Sequence, residues 1–369
     1  MHDATRVLRA ILGPEQQGAP FMAGPVFAAH FHAAGDPNGM SYSYGRSHNP
    51  TWTALEQAIG QLEEADVTVF ASGVAACFAV LGTTLRSGDL VVIPNDGYYT
   101  LRLLLNEHLV HLGVRVREVP TDDDAILAAL GGATLLWLET PSNPGLAVCD
   151  IRRISAAAHA AGVLVAVDNT TATPLGQQPL DLGADFSVVS DTKAMTGHGD
   201  LLLGHVAVRD GTRADALRRW RTHTGSIPGP MEAWLALRSI ATLELRLTRQ
   251  CANALRTARF LAEREGVIDV RYPGLPNDPS YETALAQMTH YGPVIAFTLP
   301  SQDAAERFLA ATHLISEATS FGSVHTTAER RARWGGDAVA PGFIRLSVGC
   351  EQITDLLADL DQALMVALA

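Results

Sequence analysis

The chain has 369 residues, too many for one simple core, and a globular composition with 47 % hydrophobic and 18 % charged residues. Its formal net charge is −12 and its pI is near 5.5, which argues against a nucleic-acid binder or a polybasic membrane anchor. Four dispersed cysteines, Cys77, Cys149, Cys251 and Cys350, offer no C-x-x-C pair and no disulfide framework, as fits a cytoplasmic protein.

Residues 1–45 read as an extended N-terminal arm with polar, glycine- and proline-bearing turns, and their start is mixed and charged, unlike a signal peptide. Residues 67–85, VTVFASGVAACFAVLGTTL, carry no charge over 19 residues, long enough to span a bilayer. Ser72-Gly73 divides that run into a β-branched piece and an alanine-rich piece, the pattern of a buried strand, a turn and a helix. Further apolar runs follow: DLVVIP (89–94), VRVREV (114–119), ATLLWLE (133–139), VLVAVD (163–168), FSVVS (186–190) and GHVAV (204–208). Amphipathic pieces such as IRRISAAAHAAG (151–162) separate them. Near-continuous apolar strands alternating with helices predict an α/β fold with a mostly parallel sheet covered on both faces. Residues 46–230 are read as this large domain. A long helical pattern from Met231 through the LAERE that ends at residue 265 links it to a smaller α+β domain, residues 231–369, with strand-like runs such as VIAFTL (294–299).

Ligands of such sheets sit at the carboxyl ends of the strands, so the residues after each run are the candidates. After VTVFA, Ser72-Gly73-Val74 opens a helix, where backbone amides can hold a phosphate and glycine permits close approach. After DLVVIP come Tyr98 and Tyr99, either plain core aromatics or groups that stack on a planar ring and exchange a proton. After ATLLWLE, Pro141 and Pro144 stiffen a loop that presents the Asn143 amide. Asp168 ends VLVAVD, either as a turn cap or as an anion that meets a cationic ring nitrogen or a metal. After FSVVS come Ser190, Thr192 and Lys193. Lys193 is the only lysine in the chain, and the remaining 26 basic side chains are arginines. Arginine serves the ordinary needs for positive charge, so the single primary amine is read as catalytic, since only lysine can deprotonate or form an imine. Ser190 and Thr192 beside it offer hydroxyl donors to a phosphate. No G-x-G-x-x-G opens a helix, no P-loop is compatible with the sole lysine, and His30-x-His32 has no acid/His cluster to complete a metal site.

An imine-forming lysine, an Asp at a neighbouring strand end, phosphate donors and a stacking tyrosine are the inventory for pyridoxal 5′-phosphate (PLP). With YSYGRSHNPT, ASGVAA, NDGYYT, ETPSNP, VDNT, SDTKAMTGHGD and GFIRLSVGCE in this order, the chain resembles the Cys/Met-metabolism family of PLP-dependent enzymes over residues 42–364. The resemblance is closest to the cystathionine γ-lyases. It implies PLP fold type I, like that of aspartate aminotransferase, and a homotetramer of two catalytic dimers. It also implies a role for each candidate. Lys193 would hold the cofactor covalently and Asp168 would pair with its ring nitrogen. The Gly73 and Val74 amides with the Ser190 and Thr192 hydroxyls would bind its phosphate, joined by Tyr44 and Arg46 of a neighbouring subunit. Tyr98 would stack on the ring and serve as the acid for the departing sulfur, Asn143 would contact the ring oxygen, and Arg345 would clamp the substrate carboxylate with Ser320 lining the site.

The implied reaction is elimination on L-cystathionine or a related amino acid, giving cysteine, 2-oxobutanoate and ammonia. The alternatives are γ-replacement, by a cystathionine γ-synthase or an O-acylhomoserine sulfhydrylase, cystathionine β-lyase activity, or a catalytically silent scaffold. Three departures bear on the choice. Thr319 stands where the family has a glutamate that helps γ-lyases select their substrate. Tyr99 follows the stacking tyrosine where methionine γ-lyases have a small residue, often cysteine, and the segment 323–337 follows its own pattern.

Overall fold

The computed structural model describes residues 1–13 and 16–369. Each apolar run becomes a strand: β1 (Asp66–Phe70), β2 (Leu90–Pro94), β3 (Arg115–Val119), β4 (Leu135–Glu139), β5 (Leu164–Asp168), β6 (Phe186–Val189) and β7 (Gly204–Val208). They form one sheet in the order β1-β7-β6-β5-β4-β2-β3. From β6 to β3 every pairing is parallel, while β7 runs antiparallel to both β6 and β1. Two antiparallel steps leave β1 pointing the same way as β6, so the chain leaves β1, β2, β4, β5 and β6 at one edge of the sheet.

The alternation of side chains along each strand explains the continuous apolar runs. Leu135, Trp137 and Ala166 face one core together with the helix Gly73–Thr84, whereas Leu136, Leu138, Val165 and Val167 face a second core with the helix Ile151–Ala160. The uncharged stretch 67–85 divides into β1 and the helix Gly73–Thr84, which Ser72 caps by accepting the Ala75 N–H at 3.1 Å. Among the described residues no helix is long and apolar enough to cross a membrane.

Two expectations change. The arm is not wholly extended, because Asp3–Ala10 is a helix that buries Val7 and Ala10 in the core shared with the helix Pro50–Glu63. The long linking helix is two helices, Pro230–Ile240 and Leu243–Ala262, broken at Ala241–Thr242. The break carries no Gly or Pro. It frees the Ser239 carbonyl, which accepts from Thr242 N at 3.2 Å and from Arg246 Nη2 at 3.1 Å.

Beyond these helices, β8 (Ile268–Arg271), β9 (Val294–Thr298), β10 (Ser316–Glu317), β11 (Thr327–Arg330) and β12 (Phe343–Ser347) make a second sheet, ordered β10-β11-β12-β9-β8. Its core is closed by the helices Gln302–Ala311 and Ile353–Leu368. The antiparallel β11–β12 ladder sets Glu329 directly opposite Arg345.

Candidate active site

Lys193 sits in the turn that follows β6. Its backbone N–H donates to Ser190 O at 3.1 Å and its carbonyl accepts from Gly197 N at 2.8 Å. The guanidinium of Arg246 fastens the same turn, donating to Ala194 O at 2.7 Å and to Met195 O at 3.0 Å. On the other side, Asp191 accepts from His205 Nδ1 at 2.7 Å, and His205 Nε2 reaches Glu63 at 3.1 Å, all three side chains being buried. The turn is therefore anchored on both flanks of the lysine. Lys193 Nζ donates to Ser320 Oγ at 2.6 Å and stands 5.2 Å from the centre of the Phe321 ring. Burial, then the nearby Arg345 charge, lowers its pKa to about 8.

Asp168 ends β5, in register with Glu139 at the end of β4. Glu139 accepts from Tyr98 N at 2.6 Å and from Asn143 N at 2.8 Å, so one carboxylate aims two expected site residues. Burial, then the Asp168 charge, holds Glu139 well above the usual carboxylate range. Asp168 accepts from Thr170 N at 3.0 Å but has no ion-pair partner among the described residues. Burial raises it as well, and Lys193 opposes the shift only weakly. Burial also raises the Tyr98 phenol, which stays protonated at neutral pH. A Cβ on Gly97 would lie 2.8 Å from Glu139 Oε2, so this turn needs a glycine beside the carboxylate.

The opposite wall begins the helix Gly73–Thr84. The Gly73 and Val74 amides are the first two of that helix and have no partner within it. A Cβ on Gly73 would stand 2.6 Å from Ser190 Cβ, so only glycine lets the helix start lie against the Ser190 hydroxyl. The Thr192 hydroxyl exchanges hydrogen bonds with the Leu203 backbone, donating at 3.1 Å and accepting at 3.0 Å.

The third wall comes from the second sheet. Arg345 Nη1 donates to Asn143 Oδ1 at 2.6 Å and Nη2 to Ser320 O at 2.9 Å, and Nη2 also pairs with Glu329. Ser320 holds this place with a positive φ of 77°, a conformation that costs a non-glycine residue energy and that is found mostly where function demands it. Burial lowers the Arg345 pKa to about 10, which leaves it cationic at neutral pH.

These walls enclose a cavity of ≈ 480 Å³. Gly73, Val74, Tyr98, Asn143, Asp168, Ser190, Thr192, Lys193, Ser320 and Arg345 all line it. Tyr44 and Arg46 do not: Tyr44 is 47 % exposed, and Arg46 Nη1 donates to Thr222 O at 2.7 Å. The sequence reading missed Glu139, Arg331 and Trp334, which also line the cavity. Glu139 carries the same signal as Asp168, a carboxylate ending a buried strand. Arg331 and Trp334 lie in a segment whose spacing pointed to nothing.

The residues present fit PLP. A primary amine with a lowered pKa suits an aldehyde, a buried carboxylate with no ion-pair partner among the described residues suits a cationic ring nitrogen, and two free helix amides with a glycine cradle suit a phosphate. Comparison with known proteins agrees. Residues 16–365 match the family described as Cys/Met metabolism PLP-dependent enzyme. The chain belongs to that family. A Streptomyces coelicolor protein named "Putative cystathionine gamma-lyase" is 60 % identical over 367 residues, covering 98 % of this chain and 93 % of the relative. The cystathionine gamma-synthase of Mycobacterium tuberculosis is 37 % identical over 374 residues, covering 98 % and 96 %. The structure of cystathionine gamma-lyase from Lactobacillus plantarum, complexed with L-serine, superposes with a TM-score of 0.96 at 31 % identity and covers 100 % of both chains. This member of the Cys/Met-metabolism family is thus a PLP-dependent α/β enzyme with the fold expected from its sequence.

Proposed function

We propose that the protein is a carbon–sulfur lyase that cleaves L-cystathionine by γ-elimination, giving cysteine, 2-oxobutanoate and ammonia. The observation that carries this reading is the sole lysine amine, buried in one cavity with the unpaired Asp168 carboxylate and the Arg345 guanidinium. The 60 % identity to the Streptomyces coelicolor relative supports the choice of reaction. Bound there, PLP supplies a covalent hold on the substrate nitrogen and an electron sink for the charge left at Cα. Lys193 would hold the cofactor at rest and, once freed, would take the proton from Cα and then the second proton, from Cβ, that cleavage at Cγ requires, a task suited to an amine whose pKa is lowered to about 8. Asp168 would keep the ring nitrogen protonated. Arg345 and Asn143 orient the α-carboxylate, with Ser320 fixing both Arg345 and Lys193. Tyr98, protonated at neutral pH, delivers a proton to the departing sulfur. The Gly73 and Val74 amides with the Ser190 and Thr192 hydroxyls would bind the phosphate.

Tyr44 and Arg46, outside their own chain's cavity, complete the site of a second subunit, and two such dimers make a tetramer. Four unpaired cysteines suit the cytoplasm. One observation favours γ-replacement on an acylated homoserine as a second reading: Thr319 lines the cavity in place of the glutamate expected from the resemblance.

The test is a product assay on yellow, PLP-loaded protein. Cystathionine is expected to yield cysteine and 2-oxobutanoate, and borohydride is expected to fix the cofactor on the peptide containing Lys193. Formation of cystathionine from an acylated homoserine and cysteine, with no release of 2-oxobutanoate from cystathionine, would replace the first reading with the second.

A further inference from the structure

The carboxylate end of the cavity holds two guanidiniums. Arg331 lines it beside Arg345, and the two share one oxygen of the buried Glu329: Arg331 Nη1 donates to Oε1 at 2.9 Å, and Arg345 Nη2 pairs with the same atom. The second Glu329 oxygen accepts from Trp334 Nε1 at 2.9 Å. Asp337 takes Arg331 Nε at 2.9 Å and Nη2 at 2.5 Å. Of the five N–H groups that an arginine carries, three are engaged, which leaves one on each terminal nitrogen of Arg331 without a partner among the described residues. The residue is only 7 % exposed, so those groups do not face open solvent.

The placement of the charges has a direction. Both guanidiniums line the cavity, while Glu329 and Asp337 do not, so the counter-carboxylates stand behind and the cationic edges face inward. Arg331 remains fully cationic: burial disfavours its charge, but Asp337 and Glu329 raise its pKa above the ordinary value. The segment that carries it runs on through Trp334 to Gly336, whose carbonyl accepts from Arg102 at 2.6 Å and whose Cα packs against the Tyr99 ring. It therefore spans from the Arg345 end of the cavity to the tyrosine end. The carboxylates that line the cavity, Glu139 and Asp168, belong to the ring end, and Thr319 offers none for a distal ammonium.

We propose that Arg331 binds a carboxylate at the far end of the substrate side chain, so that the site selects amino acids carrying a second, distal carboxylate and is indifferent to a distal ammonium. This rests on reading the cavity as the lyase site. The test on the loaded enzyme compares L-cystathionine with two thioethers that each lack one distal group. S-(2-aminoethyl)-L-homocysteine lacks the carboxylate and S-(2-carboxyethyl)-L-homocysteine lacks the ammonium, and all three release 2-oxobutanoate. Loss of the carboxylate is expected to lower kcat/KM at least about tenfold, the effect of one lost charged hydrogen bond, and loss of the ammonium by less than about threefold. Equal losses, or the reverse order, overturn the proposal.

A second measurement reads binding without turnover. Glutarate should raise the thermal midpoint of the loaded enzyme more than butyrate does, and Arg331→Gln should erase that difference. A difference that survives the substitution, or is absent in the unsubstituted enzyme, overturns the proposal. If none of the three thioethers reacts, the lyase reading fails, and the glutarate comparison still decides whether Arg331 reads a second carboxylate.

Discussion

At the scale of single residues, Lys193 owes its chemistry to two neighbours that the sequence did not place beside it. Burial and the Arg345 guanidinium lower its pKa to about 8, and Ser320 Oγ fixes the amine at 2.6 Å. Only the free base attacks an aldehyde, so the rate at which protein stripped of cofactor takes up PLP should rise with pH through about 8. Each pH unit below that should slow it about tenfold, as stopped-flow absorbance would record. A rate that keeps rising to pH 10 would mean that Lys193 titrates like an exposed lysine. Lys193, Asp168 and Arg345 were legible because each sits at a strand end or in a short motif. Glu139, Arg331 and Glu329 were not, because their roles arise only when separate strands are aligned. Glu329 meets Arg345 through the register of β11 against β12, which no local spacing encodes.

At the scale of elements, the turn that carries Lys193 is held by a buried charged set, His205 between Asp191 and Glu63. Burial alone would push His205 down, but the two carboxylates override it and raise its pKa to about 10. An unfolded histidine titrates near 6.5. The stabilisation is therefore complete below about pH 6.5 and is lost as pH rises through 10. His205→Leu leaves two carboxylates buried without their cation and should destabilise the fold by about 3–5 kcal/mol at neutral pH, as denaturant titration would measure. The difference between the two proteins should shrink from pH 7 to 10, and one that grows over that range would contradict this account. The seven strands of the first sheet, and β9 of the second, were legible from their apolar runs to within a residue or two. The break at Ala241–Thr242 was not, because its cause is tertiary: Arg246 reaches back to Ser239 O and to two carbonyls of the lysine turn.

At the scale of the whole molecule, the two sheets meet at the cavity, and each supplies what the other lacks. The first brings the lysine, Asp168 and the helix start at Gly73 and Val74, and the second brings both arginines. The proposed sharing of Tyr44 and Arg46 between subunits has a direct test. Lys193→Ala and Arg46→Ala proteins should each have little or no activity, yet unfolding and refolding them together should restore it, because a mixed dimer contains one site with both residues intact. Activity that stays at the level of the separate variants would mean that each chain builds its site alone. The architecture was legible in the alternation of strand and helix, whereas the helix within the N-terminal arm was not. Asp3–Ala10 is short, and it is stabilised by burying Val7 and Ala10 against distant helices.

The single lysine gives the protein an unusual handle. Reagents that acylate primary amines find one side chain and the chain terminus, and the side chain lines the pocket proposed to hold the cofactor. Intact mass after such labelling then counts empty sites directly: one added group at the terminus marks a loaded subunit, and a second marks a vacant one.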